Sequence, residues 1–220
     1  MRRIALGVLI FACGARTELG GVMEAAGDER TDAADVGEID DIVGNFSATS
    51  NPTPSGHFAY GYTKTLGDAF TLYADAVKDE TVSFWQAVPT PNTPQLVGKN
   101  ETAVTVVYHN TATFPPDTVF FHPGLAGEYS VIRWTCPRAT TYALSAAFIA
   151  RDTTTTDVHI LRDGVLPPLM SGDVTSSSSP TYSSVLTLTP GETIDFVVGF
   201  GSNGNYYNDS TGISGSLRPL

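Results

Sequence analysis

From Phe46 onward, apolar and polar positions alternate in short runs broken by turn residues, the pattern of half-buried strands. Phe58–Thr63 (FAYGYT), Thr81–Val88 (TVSFWQAV), Ala103–Asn110 (AVTVVYHN) and Thr118–His122 (TVFFH) predict strands, with a weaker one over Ala69–Ala74 and a brief helical turn through Ala74–Lys78. The last hundred residues are clearer. Tyr129–Cys136, Thr141–Ala150, Thr156–Leu161, Tyr182–Leu188, Thr193–Phe200 and Ile213–Leu217 all read as strands. In Tyr129–Cys136 the alternation sets Ser130, Ile132, Trp134 and Cys136 toward a core, with Tyr129, Val131, Arg133 and Thr135 opposite. In Thr141–Ala150, Tyr142, Leu144, Ala146 and Phe148 share one face.

Turn chemistry separates these runs. Asn51–Gly56 is a turn cluster, Pro89–Pro94 a proline-rich loop, and Asp163-Gly164 a hairpin signal. Pro167-Pro168 marks an edge or an irregular connection. Thr189-Pro190-Gly191-Glu192 is a β-turn with glycine in place. Gly201–Gly212 is a loop of glycine, asparagine, tyrosine and aspartate. About nine or ten strands at this spacing, without convincing long helices, predict an all-β fold, a two-sheet antiparallel β-sandwich.

The first 41 residues differ. Met1-Arg2-Arg3 is basic, and Ile4–Ala12 is an apolar run too short to cross a bilayer of roughly 30 Å as a helix. This is the shape of a signal peptide. Ile10-Phe11-Ala12-Cys13-Gly14 follows and resembles the bacterial lipobox, in which a cysteine after a small residue is acylated. The resemblance implies lipidation at Cys13, a cell-envelope lipoprotein held to the membrane only through that lipid; the alternatives are ordinary secretion and a cytoplasmic protein with a chance apolar start. Residues 14–41 carry nine acidic and two basic side chains and no aromatic residue. Such a segment cannot bury enough apolar surface to offset its ordering entropy. The expected organisation is a signal peptide over 1–12, an acidic flexible tether over 13–41 and a β-sandwich over 42–220.

Charge narrows the function. The chain carries a net charge of −11, with residues 42–220 holding eight basic against fourteen acidic side chains. That balance argues against nucleic acid as a partner, because binding phosphates needs a basic face. With Cys13 assigned to the lipid, Cys136 is alone and reads as a small core residue.

Ordered pieces of the second half carry a resemblance. Phe120-Phe121-His122-Pro123-Gly124 is followed by Val131–Thr135 before Pro137, then Thr155–Ile160 with Gly164, then Gly191–Gly199, then Asn203-Gly204 and Asn208–Gly212. This order resembles a jelly-roll domain of exported bacterial proteins, similar to the galactose-binding-like and carbohydrate-binding-module sandwiches. It covers about residues 100–220 and implies architecture more than activity.

Candidate chemistry is sparse. His57, His109, His122 and His159 form no metal-ligand spacing, no nucleophile elbow occurs, and Ser176–Ser179 reads as a polar loop. No metal or other cofactor is expected. Asp157 and Asp195 lie inside strands, where a carboxylate caps backbone groups, ligates calcium or does acid–base work. Sugar recognition pairs aromatic faces with amides and carboxylates. Asn205, Tyr206, Tyr207, Asn208 and Asp209 supply that set on one loop; His57, Tyr60 and Tyr62 supply a second, smaller one. The rival reading of the loop is turn chemistry, with tyrosines packed on the sheet. The expected function is a non-catalytic, surface-attached binding or adhesion module whose partner is a glycan or envelope polymer. The alternatives are a purely structural envelope domain and a hydrolase with an unrecognised site.

Overall fold

The computed structural model describes residues 37–79, 81–87 and 95–220. The signal peptide, Cys13, most of the acidic tether and the 89–94 loop lie outside the described residues. Within them the chain forms sixteen strands: β1 (Asp40–Asp41), β2 (Phe58–Thr63), β3 (Thr71–Leu72), β4 (Asp75–Lys78), β5 (Ser83–Gln86), β6 (Leu96–Lys99), β7 (Val106–Tyr108) and β8 (Ala112–Phe114). They continue with β9 (Val119–His122), β10 (Tyr129–Thr135), β11 (Thr140–Ala150), β12 (Asp157–Arg162), β13 (Val165–Asp173), β14 (Thr181–Leu188), β15 (Thr193–Val198) and β16 (Thr211–Pro219).

Two antiparallel sheets face each other. One runs β14-β11-β16-β9-β6-β5-β4, with β1 also on β16; the other runs β13-β12-β15-β10-β2-β3. From β9 to β16 the chain changes sheet at every connection except the β12–β13 hairpin, which is jelly-roll winding. The small β7–β8 hairpin stands apart.

Alternation builds the core. Trp85, Val97, Phe121, Tyr142, Leu144, Phe148 and Ile213 from the first sheet meet Phe58, Tyr60, Ile132, Trp134, Val158, Ile160, Ile194, Phe196 and Val198 from the second. Trp134 is fully buried and meets Tyr142 edge-on, with ring centroids 5.1 Å apart. Cys136 is buried in the same core, its thiol donating to the Arg138 carbonyl at 3.1 Å.

Four local expectations change. Val131, assigned to the outward face of β10, is buried, because Leu66, Phe70 and Tyr129 close over Val131, Leu161 and Val197 in a second apolar layer. The 74–78 segment is strand, not helical turn: Asp75–Lys78 pairs with Ser83–Gln86, and that ladder overrides its local helix preference. Ala103–Asn110 holds only the short β7, ending in a turn where His109 and Asn110 take positive φ. Asp40 and Asp41, placed by the sequence in the acidic segment, belong to the sandwich. They pair with Leu217 and Ser216, and the buried Asp40 carboxylate accepts hydrogen bonds from Trp134 Nε1 and His57 Nδ1, both at 2.8 Å.

The hairpin and turn readings hold. Asp163 and Gly164 join β12 to β13 with φ of 55° and 66°, the left-handed pair a tight hairpin requires. Pro167 and Pro168 sit on β13, an edge strand.

Candidate functional site

The outer face of the first sheet carries two cross-strand rows beneath the β7–β8 hairpin. Gln86 pairs with Leu96, and Leu96 with His122; Phe84 pairs with Gly98, and Gly98 with Phe120. Each of these side chains alternates with an inward core residue, Trp85, Val97 or Phe121. Gly98 is small by necessity. A Cβ there would stand 2.7 Å from Phe120 Cζ and 2.8 Å from Phe84 Cβ. The hairpin closes on this surface through Val106, Ala112 and Phe114, with Phe114 stacked on Phe120 at 3.9 Å and 13°.

Between this floor, the hairpin and the loop after β15 lies a cleft of about 360 Å³. Phe84, Leu96, Ala112, Phe114 and Phe120 give it an apolar base, while Gln86, His109, Asp152 and Asn208 bring polar groups to it. Tyr206 and Tyr207 form one wall, their ring centroids 4.5 Å apart, and Tyr206 meets His122 edge-on at 6.1 Å. Tyr207 is 66% exposed, so it is not a core residue. The neighbouring Tyr207 hydroxyl holds the Tyr206 phenol above its ordinary range. On the hairpin, burial and then the hydrogen bond to Asp79 push the Tyr108 phenol up to about 12, so it stays a neutral donor at physiological pH.

The loop is held in shape by its own amides. Asn203 Oδ1 accepts from Asn205 N–H at 3.0 Å, and Asn205 Oδ1 accepts from Tyr207 N–H at 3.1 Å. These successive turns set the two tyrosines side by side. Asn208 takes a φ of 62°, a conformation asparagine tolerates better than most residues. Gly201 anchors the loop base. Its N–H donates to Asp157 Oδ1 at 2.8 Å, and a Cβ there would lie 1.9 Å from the Thr155 carbonyl oxygen.

The five loop residues singled out by sequence thus divide. Tyr206, Tyr207 and Asn208 line the cleft; Asn205 shapes the loop. Asp209 is fully buried beneath it, accepting from Thr155 N–H at 2.9 Å and Thr154 Oγ1 at 3.3 Å. Burial outweighs these bonds and raises its carboxyl to about 6. The second set is structural in its contacts: His57 bonds Asp40, Tyr60 is a core residue whose hydroxyl accepts from Ser47 N–H, and Tyr62 stacks on Tyr73. The floor of the cleft went unread, although the alternation of Phe120 and His122 in TVFFH was a usable sign.

The two strand carboxylates are engaged by protein donors. Asp195, buried, is gripped by Arg133 through Nε at 2.7 Å and Nη2 at 2.8 Å, and that guanidinium lies 4.3 Å over the Phe70 ring. Asp157 accepts from His159 Nε2 at 2.8 Å, Tyr129 Oη at 3.0 Å and the Gly201 amide. Burial opposes its ionisation, but these donors outweigh burial and hold the carboxyl below its usual range. His159 Nδ1 lies 2.8 Å from Ser171 Oγ across the β12–β13 hairpin. This serine–histidine–aspartate line braces an edge strand.

No family model and no curated protein matches the sequence. Among solved structures, the chain is similar to the CBM51 module of the Clostridium perfringens GH95 enzyme in complex with methyl-galactose. The match has 10% identity over 64% of this chain and 94% of that one, with a TM-score of 0.38. CBM51-2 with the INT domains of Clostridium perfringens ZmpB, in complex with GlcNAc, matches at 13% identity over 73% of this chain and 32% of that one, with a TM-score of 0.37. The CBM36-1 domain of a xylanase from the hindgut metagenome of Trinervitermes trinervoides matches at 13% identity over 74% and 97%, with a TM-score of 0.33.

Proposed function

We propose that this chain is a non-catalytic glycan-binding module, with its ligand seated in the cleft between the β5-β6-β9 face, the β7–β8 hairpin and the Tyr206–Asn208 loop. The observation that carries it is the cleft's composition: an apolar aromatic base, two adjacent tyrosine rings on one wall, and amide, carboxylate and imidazole groups beside them. A sugar ring offers apolar C–H faces edged by hydroxyls, and this arrangement complements both. Tyr206 and Tyr207 stack on ring faces; Gln86, Asp152 and Asn208 bond hydroxyls. Asp209 acts beneath the site, fixing the loop against Thr154 and Thr155.

A glycan-array screen followed by calorimetry tests this reading. Replacing both Tyr206 and Tyr207 with alanine abolishes binding and shifts Tm by less than about 2 °C if they are ligand platforms, since surface substitutions stay within about 0.5 kcal/mol. Persisting binding, or a large fall in Tm, rejects the site.

The same reading makes the module an exported one, held to the envelope by a lipid on Cys13. Its support is the basic start, the short apolar run and the Ala12-Cys13-Gly14 sequence. Labelled palmitate then enters the wild-type protein and not Cys13→Ser; equal labelling of both, or of neither, rejects the anchor.

A further inference from the structure

Among the described residues, the main path of each sheet ends in two edge strands, with the two-residue β1 a further short edge on β16, and an open edge is a template for another strand unless something guards it. In the second sheet, β3 has only two residues, and β13 carries Pro167, Pro168 and a register shift against β12. In the first sheet, β4 is four residues long with Asp75 and Lys78 at its ends. The fourth path end, β14, has none of these devices in its own sequence, and a single side chain from the other sheet, Arg162, reaches its margin at Thr187. It runs eight residues, Thr181–Leu188 (TYSSVLTL), without charge, proline or glycine.

Its hydrogen-bonding direction follows from register. Ala147 stands opposite Thr181 on β11, and Phe148 N–H donates to the Pro180 carbonyl at 2.9 Å. In an antiparallel pair, bonded and non-bonded positions alternate. Pro180, Tyr182, Ser184, Leu186 and Leu188 therefore bond β11. Thr181, Ser183, Val185 and Thr187 turn their N–H and C=O groups outward, and all four are exposed. Arg162 Nη2 reaches the Thr187 carbonyl at 3.3 Å, as an outward carbonyl requires.

We propose that β14 pairs antiparallel with β14 of a second copy of this chain, joining the two first sheets into one. Three features favour a second copy as the occupant. The strand is uncharged within a chain of net charge −11, so two copies of it set no like charges opposite each other across the ladder. A two-fold register centred on Ser184 sets Thr181 opposite Thr187 and Ser183 opposite Val185, engaging the outward groups of all four once Arg162 gives up the Thr187 carbonyl. The same register sets Tyr182 opposite Leu186 twice on the core side, where both are half-buried against the core. Aromatic–aliphatic cross-strand pairs of this kind are favourable. The proposal is independent of what the cleft binds.

Sedimentation velocity and hydrogen exchange on the full chain test it. One strand pair is smaller than a standard interface of about 1,600 Å², so association belongs in the range of about 10–100 µM. The mass then rises from one protomer to two across that range, and the amides of Thr181, Ser183, Val185 and Thr187 gain protection with it. Val185→Lys and Ser183→Pro, at outward positions, each weaken association at least about tenfold. Ser145→Lys, on the sheet face but one strand in from the edge, leaves it unchanged. A wild type that stays monomeric at about 1 mM overturns the proposal. So does a folded Val185→Lys that dimerises like wild type, or loss of the dimer in Ser145→Lys, which would place the contact on the face.

Discussion

At the residue scale, the least expected feature is a carboxylate deep in the sandwich. Asp40 supplies the acceptor for the indole N–H of Trp134, itself fully buried. Trp134→Ala removes the largest buried ring and should cost about 3–5 kcal/mol. Asp40→Ala leaves the ring in place but its N–H unpaired, which should cost about 1–3 kcal/mol. Urea denaturation followed by tryptophan fluorescence measures both; a loss under about 1 kcal/mol for Trp134→Ala would contradict its burial. Asp209 gives a pH signature. Its carboxyl titrates near 6 in the fold, above about 3.9 for an unfolded aspartate. The raised value means its contribution is fully present below about pH 4 and is lost as pH rises through 6. The difference amounts to about 3 kcal/mol at most. Asp209→Asn keeps the acceptor for Thr155 but cannot ionise. It should therefore gain stability over wild type at pH 7 relative to pH 4, and parallel pH profiles for the two proteins would refute this.

At the element scale, sequence patterning located β2, β10, β11, β12, β14 and β15 well, gave the nine-residue β13 only as an edge or irregular connection, and missed most of the short strands. Phe58–Thr63 came out at its true bounds, and the Asp163-Gly164 hairpin and the Thr189–Glu192 turn were visible because their backbone angles demand particular residues. β6 (LVGK) escaped because a four-residue strand with an internal glycine shows no periodicity, and its glycine serves the packing of Phe84 and Phe120. That same packing explains why the cleft floor stayed hidden while its tyrosine wall did not. A loop advertises itself by composition, whereas a sheet's outer row exists only once register is set. The loop depends on Gly201, with a φ of 70° and its Cα against the Thr155 carbonyl. Gly201→Ala should displace the Asp157 contact, cost about 1–3 kcal/mol in strain and reduce ligand binding with it. Unchanged Tm and binding would show that the loop is not set from its base.

At the scale of the whole molecule, composition identified the class, but the acidic run concealed where the domain starts. A buried aspartate and a solvated one look alike in a string of acidic residues, so the sequence alone places Asp40 and Asp41 in the tether. A fragment over 36–220 should therefore be more stable than one over 42–220 by about 1–3 kcal/mol, the cost of an orphaned Trp134 donor. Equal denaturation midpoints would remove β1 from the fold's essential parts. The pairing of Asp40 with Leu217 and Asp41 with Ser216 also has a mechanical consequence. Because the two strands are antiparallel, residue 37 and Leu220 leave from the same end of the ladder. A force drawn between them pulls across the hydrogen bonds and parts them one pair at a time, where a force along the strands would load them together. Stretched between residue 37 and Leu220, the domain should yield first at β1, at low force and in a small step, with the tryptophan's partner leaving before the sheets separate. Optical-tweezers records with handles at residue 37 and Leu220 would show that early step, and Asp40→Ala should erase it.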